Sequence, residues 1–274
     1  MRKMEKPTYA YYKHKYYRYL LELSGKKFEK HFNFYSFIDK RNSRIRHLDN
    51  KYYLTSENID WRFSSPGNGV MTYLDTLQIR AEWLKECYML DKVTLSEGDV
   101  VIDCGAAQGL FYLALKDFKI DYHGFEPSPV QFEDLSYNLK ENGTLYNKAL
   151  WNNSNEEIDF YLNDWLNDSS VIEIKEFDEI IKVKTVTLDE VIKKINKNVK
   201  LIKIEAEGAE PEVLYGLKEQ INKVHFISID AGPERYGETT IIECLNYLNG
   251  SSFELIDFYQ DRVGLLFENK SFGK

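Results

Sequence analysis

Beyond residue 100 the chain alternates two hydrophobic periods. Short apolar runs rich in Val and Ile predict strands, and between them apolar positions recur every three to four residues, as on one helix face. Residues 100–104 predict the first strand, 110–118 a helix and 122–125 the second strand. Ser128-Pro129 reads as an N-cap followed by proline at the first helical position, opening a helix that ends near Asn142-Gly143. Residues 145–150 predict a third strand. After a break, Thr187-Leu188-Asp189-Glu190 forms a capping box. Strands at 199–204 and 224–229 then alternate with helices at 211–220 and 239–248, and 253–258 with 263–267 form a final hairpin. The order predicts an α/β fold, a doubly wound, mostly parallel seven-stranded sheet with a C-terminal antiparallel hairpin. Residues 151–186 interrupt the alternation. Antiparallel strands at 158–162 and 181–186 make this segment an insertion over the sheet edge.

The first 70 residues lie outside that pattern. They are expected to form a basic, aromatic, helical N-terminal extension, leaving 71–274 as the main domain. Residues 9–21 are rich in Tyr and Lys and predict a helix that packs on the body or on a dimer mate, or else binds an anionic glycan, a lipid surface or a glycan-assembly enzyme. Residues 1–50 carry thirteen Lys and Arg against five Asp and Glu, a net charge of +8 in a chain whose total is −8, so the remainder is −16. An acidic body argues against nucleic acid lying across it. The aromatic fraction of 15% suits a sugar-binding surface or an aromatic core equally. Cys87, Cys104 and Cys244 are odd in number, widely spaced and without a C-x-x-C pair, so neither a disulfide framework nor a cysteine zinc site is indicated. No stretch has the ~20 apolar residues of a membrane span, nor is there a signal peptide's apolar run, so a cytoplasmic location is expected.

The chemistry concentrates at predicted strand ends. Asp103-Cys104-Gly105-Ala106-Ala107-Gln108-Gly109 follows the first strand and opens a helix, so its backbone N–H groups can approach a ligand. Its two glycines do not match the dinucleotide spacing G-x-G-x-x-G, and a carboxylate two residues before the first would repel a pyrophosphate. Glu126, followed by Pro127, ends the second strand, where a carboxylate can accept both ribose hydroxyls of a nucleoside. Asp103, Gly105, Ala106, Ala107, Gly109, Glu126 and Pro127 are therefore the candidate cofactor-binding residues, with S-adenosyl-L-methionine favoured over a nicotinamide dinucleotide. Glu205 and Glu207 end the fourth strand and Asp230 the fifth, making these three the candidate catalytic residues. One of them could serve as general base, or Glu205 and Asp230 could ligate a divalent cation, the less favoured reading. Alternatively they could hold the cofactor ammonium and a helix N-terminus. Lys203, inside an apolar strand, must be paired, and Glu205 is its expected partner.

The segments VIDCGAAQG, GFEPSP, VTLDEVI and above all KIEAEGAEPEVLYGL resemble those of the FkbM family of methyltransferases, over roughly residues 75–260. The resemblance implies a Rossmann-like methyltransferase sheet and S-adenosylmethionine-dependent O-methylation, typically of a sugar or polyketide hydroxyl. The expected function is methylation of a hydroxyl of a sugar in a glycan or glycosylated metabolite. The rivals are a nicotinamide-dependent oxidoreductase and a non-catalytic methyltransferase-fold partner protein. The family usually has Asp where this chain has Glu205.

Overall fold

The structure is a computed structural model that describes residues 15–16, 18–67, 76–163 and 169–273. The helix expected over 9–21 lies partly outside these residues; Lys15, Tyr16 and the stretch 18–21 are helical. The chain forms two compact units, Met1–Arg80 and Ala81–Lys274, divided ten residues beyond the boundary expected from sequence.

In the first unit, helix α1 (Gly25–Ile38) joins a three-stranded antiparallel sheet of β1 (Ser43–Leu48), β2 (Lys51–Ser56) and β3 (Ile59–Phe63). Phe28 and Phe32, one turn apart on α1, are buried with Ile45, Leu54, Trp61 and Phe63. The Asn33 side chain locks helix to sheet by exchanging two 2.8 Å hydrogen bonds with the Ile45 backbone. The sequence reading expected only helix here. The strands are joined by two-residue turns at Asp49-Asn50 and Glu57-Asn58, and all four residues have positive φ, the conformation of tight hairpin turns.

Helix α2 (Leu77–Cys87) leads into the second unit. Its strands are β4 (Val100–Cys104), β5 (Asp121–Phe125), β6 (Thr144–Tyr146), β10 (Val199–Ile204), β11 (Val224–Asp230), β12 (Phe253–Tyr259) and β13 (Gly264–Asn269). They form one sheet in the order β12-β13-β11-β10-β4-β5-β6. The pairs among β6, β5, β4, β10 and β11 are parallel, and β13 runs antiparallel between β11 and β12. All five β4 residues and all seven β11 residues except His225 are buried, the continuous apolar pattern of strands covered on both faces. Helices α3 (Leu110–Leu115), α4 (Pro129–Leu139), α5 (Leu188–Ile195), α6 (Glu210–Tyr215) and α7 (Ile241–Asn249) alternate with the strands.

Three predicted elements come out differently. The third strand divides at Asn147, whose side chain donates to the carbonyls of Glu126 and Pro127 and draws the chain out of the sheet. Its second half, β7 (Ala149–Leu150), pairs instead with β9 (Glu179–Val186), which is antiparallel to β8 (Glu157–Leu162) in the predicted insertion. The helix expected over 211–220 stops at Tyr215, because the Asp189 carboxylate accepts the N–H groups of Lys218, Glu219 and Gln220 and holds them in a loop. The capping box is half-made. Thr187 Oγ1 accepts from Glu190 N, while Thr187 N donates to Ser154 Oγ.

Strand order reverses between β4 and β10, and in open α/β sheets ligands bind outside the carboxyl ends of strands at such a switch point. The candidate residues from β4, β5, β10 and β11 all follow or end strands on that edge.

Candidate active site

The turn after β4 is shaped by close approach. Gly105 has φ +73°, and its N–H and that of Ala106 both donate to Phe125 O at 3.0 Å, tying the turn to β5. A Cβ at Gly105 would lie 2.0 Å from the Glu205 carbonyl oxygen, so only glycine fits. Ala107 and Gly109 also have positive φ, 46° and 88°, and Gly109 precedes α3.

Beneath this turn lies Lys203, 2% exposed. Its Nζ is 3.0 Å from Asp103 Oδ1 and 3.1 Å from Glu205 Oε2, and it donates to Cys104 O at 3.1 Å and Gly105 O at 2.8 Å. Burial alone would depress the lysine pKa, but the Asp103 and Glu205 charges outweigh it and hold the ammonium protonated. The pairing with Glu205 is as expected; Asp103 is a second partner. Asp103 is fully buried, its other oxygen accepting from Tyr122 Oη at 2.5 Å. Its carboxylate faces inward, where the sequence reading had aimed it at the ligand, because the nearest cation is Lys203.

Glu126 sits across the turn, 4% exposed. One oxygen accepts from Ala107 N and the other from Ser128 N, each at 2.8 Å. A carboxylate oxygen has two lone pairs, so each retains one for a further donor. Burial pushes the Glu126 pKa up to about 7 against these two hydrogen bonds. Pro127, half-buried, leads into the Ser128 cap of α4.

At the ends of β10 and β11 stand Glu205 and Asp230, joined by a residue that sequence reasoning missed. Arg262, in the short turn between β12 and β13, pairs with Glu205 and lies 2.5 Å from Asp230, with its guanidinium over the Trp83 ring at 5.4 Å. Tyr88, also missed, donates to Glu205 Oε2 at 2.7 Å. Burial works to raise the Glu205 pKa, but Arg262, Lys203 and Tyr88 hold it far below the usual carboxylate range. Asp230 behaves oppositely. Burial and the Glu205 charge push it up to about 6 despite Arg262. Two neighbouring carboxylates with pKa values driven apart are a common mark of divided labour in an active site. Nothing local in the sequence marks Tyr88 or Arg262, which arrive from 117 residues before and 57 residues after Glu205.

Glu207 has φ +48° and is half-buried; its carbonyl accepts from Ser170 Oγ at 2.7 Å, fastening the insertion to this loop. The carboxylate that organises the loop is Glu210, fully buried. Its oxygens accept from Ala206 N and Gly208 N, each at 3.0 Å, and from Thr240 Oγ1 at 2.9 Å. The place of Glu210 in a first helical turn, just before Pro211, was the available signal. Glu234 lies beyond Asp230. Its Oε1 and Asp230 Oδ1 both come within 3.5 Å of the point where a Gly232 Cβ would stand. Burial, Glu210 and Asp230 push Glu234 up to about 8. Among the described residues no three His, Cys, Asp or Glu side chains are grouped to hold a metal ion. The Glu205–Asp230 pair is bridged by Arg262, so these residues do not fit a dication.

Fold and site together define an α/β domain whose buried carboxylates gather at the strand ends of its switch point. A family model, the Methyltransferase FkbM domain, matches residues 103–258, and the chain belongs to that family. No curated protein sequence matches. Among solved structures, the chain is similar to precorrin-6y C5,15-methyltransferase from Geobacter metallireducens, with 11% identity, TM-score 0.40, and coverage of 69% of this chain and 85% of that one. It is also similar to a TehB-like SAM-dependent methyltransferase from Corynebacterium glutamicum, with 16% identity, TM-score 0.39, and coverage of 68% and 87%. For the fibrillarin pre-rRNA processing protein from Methanococcus jannaschii the values are 12% identity, TM-score 0.41, and coverage of 84% and 99%.

Proposed function

We propose that the protein is an S-adenosylmethionine-dependent O-methyltransferase acting on a sugar hydroxyl of a glycan or glycosylated metabolite. The observation that carries this reading is Glu126. Its two oxygens are fixed by Ala107 N and Ser128 N, and each keeps a lone pair for one ribose hydroxyl. When bound, the cofactor supplies a methyl group on a sulfonium, open to in-line attack by an oxygen. Asp103, Gly105, Ala106, Ala107, Gly109 and Pro127 build the cradle beside Glu126, with Asp103 acting through Lys203 to hold the turn.

Asp230 is the acceptor base in this reading. A carboxylate near pH 6 is deprotonated at neutral pH yet basic enough to take a hydroxyl proton. Glu205, held ionised, keeps Arg262 and Tyr88 in place, and Glu207 shapes the loop through its tie to Ser170. The partner face is assigned to the first unit, where α1 exposes Phe34, Phe37 and Ile38 beside Lys27 and Lys30; a second copy or a glycan-assembly enzyme is the proposed partner. A cytoplasmic location is part of the proposal. Among the described residues no helix is long and apolar enough to cross a membrane.

Isothermal titration of the full chain with S-adenosylhomocysteine and with NAD tests the cofactor. Heat with the first and none with the second supports the reading, and the reverse overturns it. Transfer of tritium from methyl-labelled S-adenosylmethionine to extracted polysaccharide tests the acceptor; label found only on protein or RNA refutes a sugar.

A further inference from the structure

The loop after β11 carries an aromatic ring that the reading above does not use. Arg235 and Glu238 form an isolated antiparallel bridge, closed by Glu238 N donating to Arg235 O at 2.9 Å. Tyr236 and Gly237 are the two residues between them, with φ +56° and +86°. Positive φ at both central positions is the type I′ hairpin turn, whose first central residue is normally Asn, Asp or Gly. Among the described residues, Asp49-Asn50 keeps to that rule, while Glu57-Asn58 and Glu207-Gly208 carry Glu at the first position; Tyr236 is the aromatic among them. A bulky aromatic in this conformation is a local conflict, and such conflicts gather at functional positions.

The turn is anchored at its base. Arg235 Nε donates to Gly208 O at 2.7 Å, and its guanidinium pairs with Glu212 and lies 3.6 Å from Glu243. A Cβ on Gly208 would stand 3.0 Å from Arg235 N, so the loops after β10 and β11 are in direct contact. The base of the hairpin is thus anchored three times, while Tyr236 at its tip is 69% exposed. On the other side stands the insertion. Ser170 bridges to Tyr161 and bonds the Glu207 carbonyl, and the Tyr161 ring meets Phe177 edge-to-face at 5.4 Å. Burial, Glu173, Asp159 and Tyr236 together raise the Tyr161 hydroxyl pKa, so Tyr236 stands in the electrostatic neighbourhood of Tyr161.

We propose that Tyr236 is an acceptor-binding residue, its ring stacking on the apolar C–H face of a sugar beside Tyr161, at the mouth of the site that ends in Asp230. An exposed aromatic on an anchored turn offers a large contact surface, and its hydroxyl can still meet a polar neighbour. Five residues separate it from Asp230, and the Gly208 contact joins the loops after β10 and β11. The assignment rests on the methyl-transfer reading and names its acceptor-side contact.

The test uses Tyr236→Asn and Tyr236→Trp in the full chain. Asn-Gly is the favoured type I′ pair, so Tyr236→Asn keeps or raises Tm while removing the ring. The probes are methyl α-L-rhamnopyranoside and methyl β-D-glucopyranoside, followed by saturation-transfer difference NMR in the presence of S-adenosylhomocysteine. The ring-proton signal of at least one glycoside is expected to fall about tenfold in Tyr236→Asn and to survive in Tyr236→Trp, with S-adenosylhomocysteine affinity changed by no more than about twofold. Equal glycoside signals in wild type and Tyr236→Asn, or no signal from either glycoside while S-adenosylhomocysteine still binds, would overturn the role of Tyr236 and leave the cofactor reading intact. Failure of S-adenosylhomocysteine to bind wild type would instead remove the methyl-transfer reading, and the Tyr236 proposal with it.

Discussion

Replacing Glu126 by Gln separates two effects that the structure places in opposition. The wild-type carboxylate accepts two backbone N–H groups at 2.8 Å. Gln offers one acceptor oxygen and one NH2, so either Ala107 N–H or Ser128 N–H then faces a donor, at a cost of ~1–3 kcal/mol for a stranded buried group. Against this, the wild type carries the penalty of a buried charge. A pKa raised from 4.5 to about 7 corresponds to roughly 3 kcal/mol above pH 7, which Gln does not bear. The sign follows from the direction of the shift. With the folded pKa above the unfolded one, the wild type is most stable below pH 4.5 and loses stability as pH rises through about 7. The variant is therefore expected to be less stable than wild type at pH 5 and close to it at pH 8. Asp230 and Glu234 are shifted in the same direction, so the pH slope becomes shallower without vanishing. Cofactor affinity has no such compensation. Losing a charged acceptor for the ribose hydroxyls should weaken S-adenosylhomocysteine binding by ~5–150-fold at pH 8. Urea melts at the two pH values and isothermal titration read both effects. An unchanged dissociation constant together with an unchanged pH slope refutes the reasoning.

Other expectations rest on single contacts. Gly105→Ala must move the turn away from the Glu205 carbonyl and hold φ at +73°; a loss of ~2–4 kcal/mol is expected in calorimetry, and a wild-type Tm contradicts the close approach. Lys203→Met strands Asp103 and should cost ~3–5 kcal/mol, or roughly 6–20 °C in Tm; a shift below about 2 °C would show that the ammonium is dispensable. Asp230→Asn should lower turnover ~10²–10⁴-fold without loss of cofactor affinity, and wild-type turnover should climb as pH passes about 6; a flat profile excludes Asp230 as base. Turnover is expected to survive exhaustive EDTA treatment, since Arg262 already bridges Glu205 and Asp230; loss restored by Mg²⁺ contradicts this.

The strand ends were the most legible part of the chain, because a buried parallel strand is a continuous apolar run and the acids that close it stand out. Asp103, Glu126, Glu205 and Asp230 were readable for that reason, and the Lys203–Glu205 pair follows from the cost of burying an ammonium. The hairpins of the first unit were also readable in principle. Ser43-Arg-Ile-Arg-His-Leu48 alternates, and Asp-Asn and Glu-Asn follow at turn spacing, but the density of Lys and Tyr around them suggested helix. The boundaries that differed were set by contacts distant in sequence, Asn147 after β6 with the Glu126 and Pro127 carbonyls and Asp189 with the loop beyond α6. Tyr88 and Arg262 reach Glu205 only through the fold. So does the inward turn of Asp103, which depends on where β10 places Lys203.

The antiparallel strand between β11 and β12 has a consequence for how the molecule matures. N-terminal regions of a nascent chain emerge first, and non-local strand pairings form slowly. Arg262 belongs to the turn that delivers β13, so Glu205 and Asp230 lack this cation until that strand has slotted home. A ribosome-bound intermediate with every cradle residue synthesised would still be an unfinished catalyst, its competence timed by the arrival of one late guanidinium.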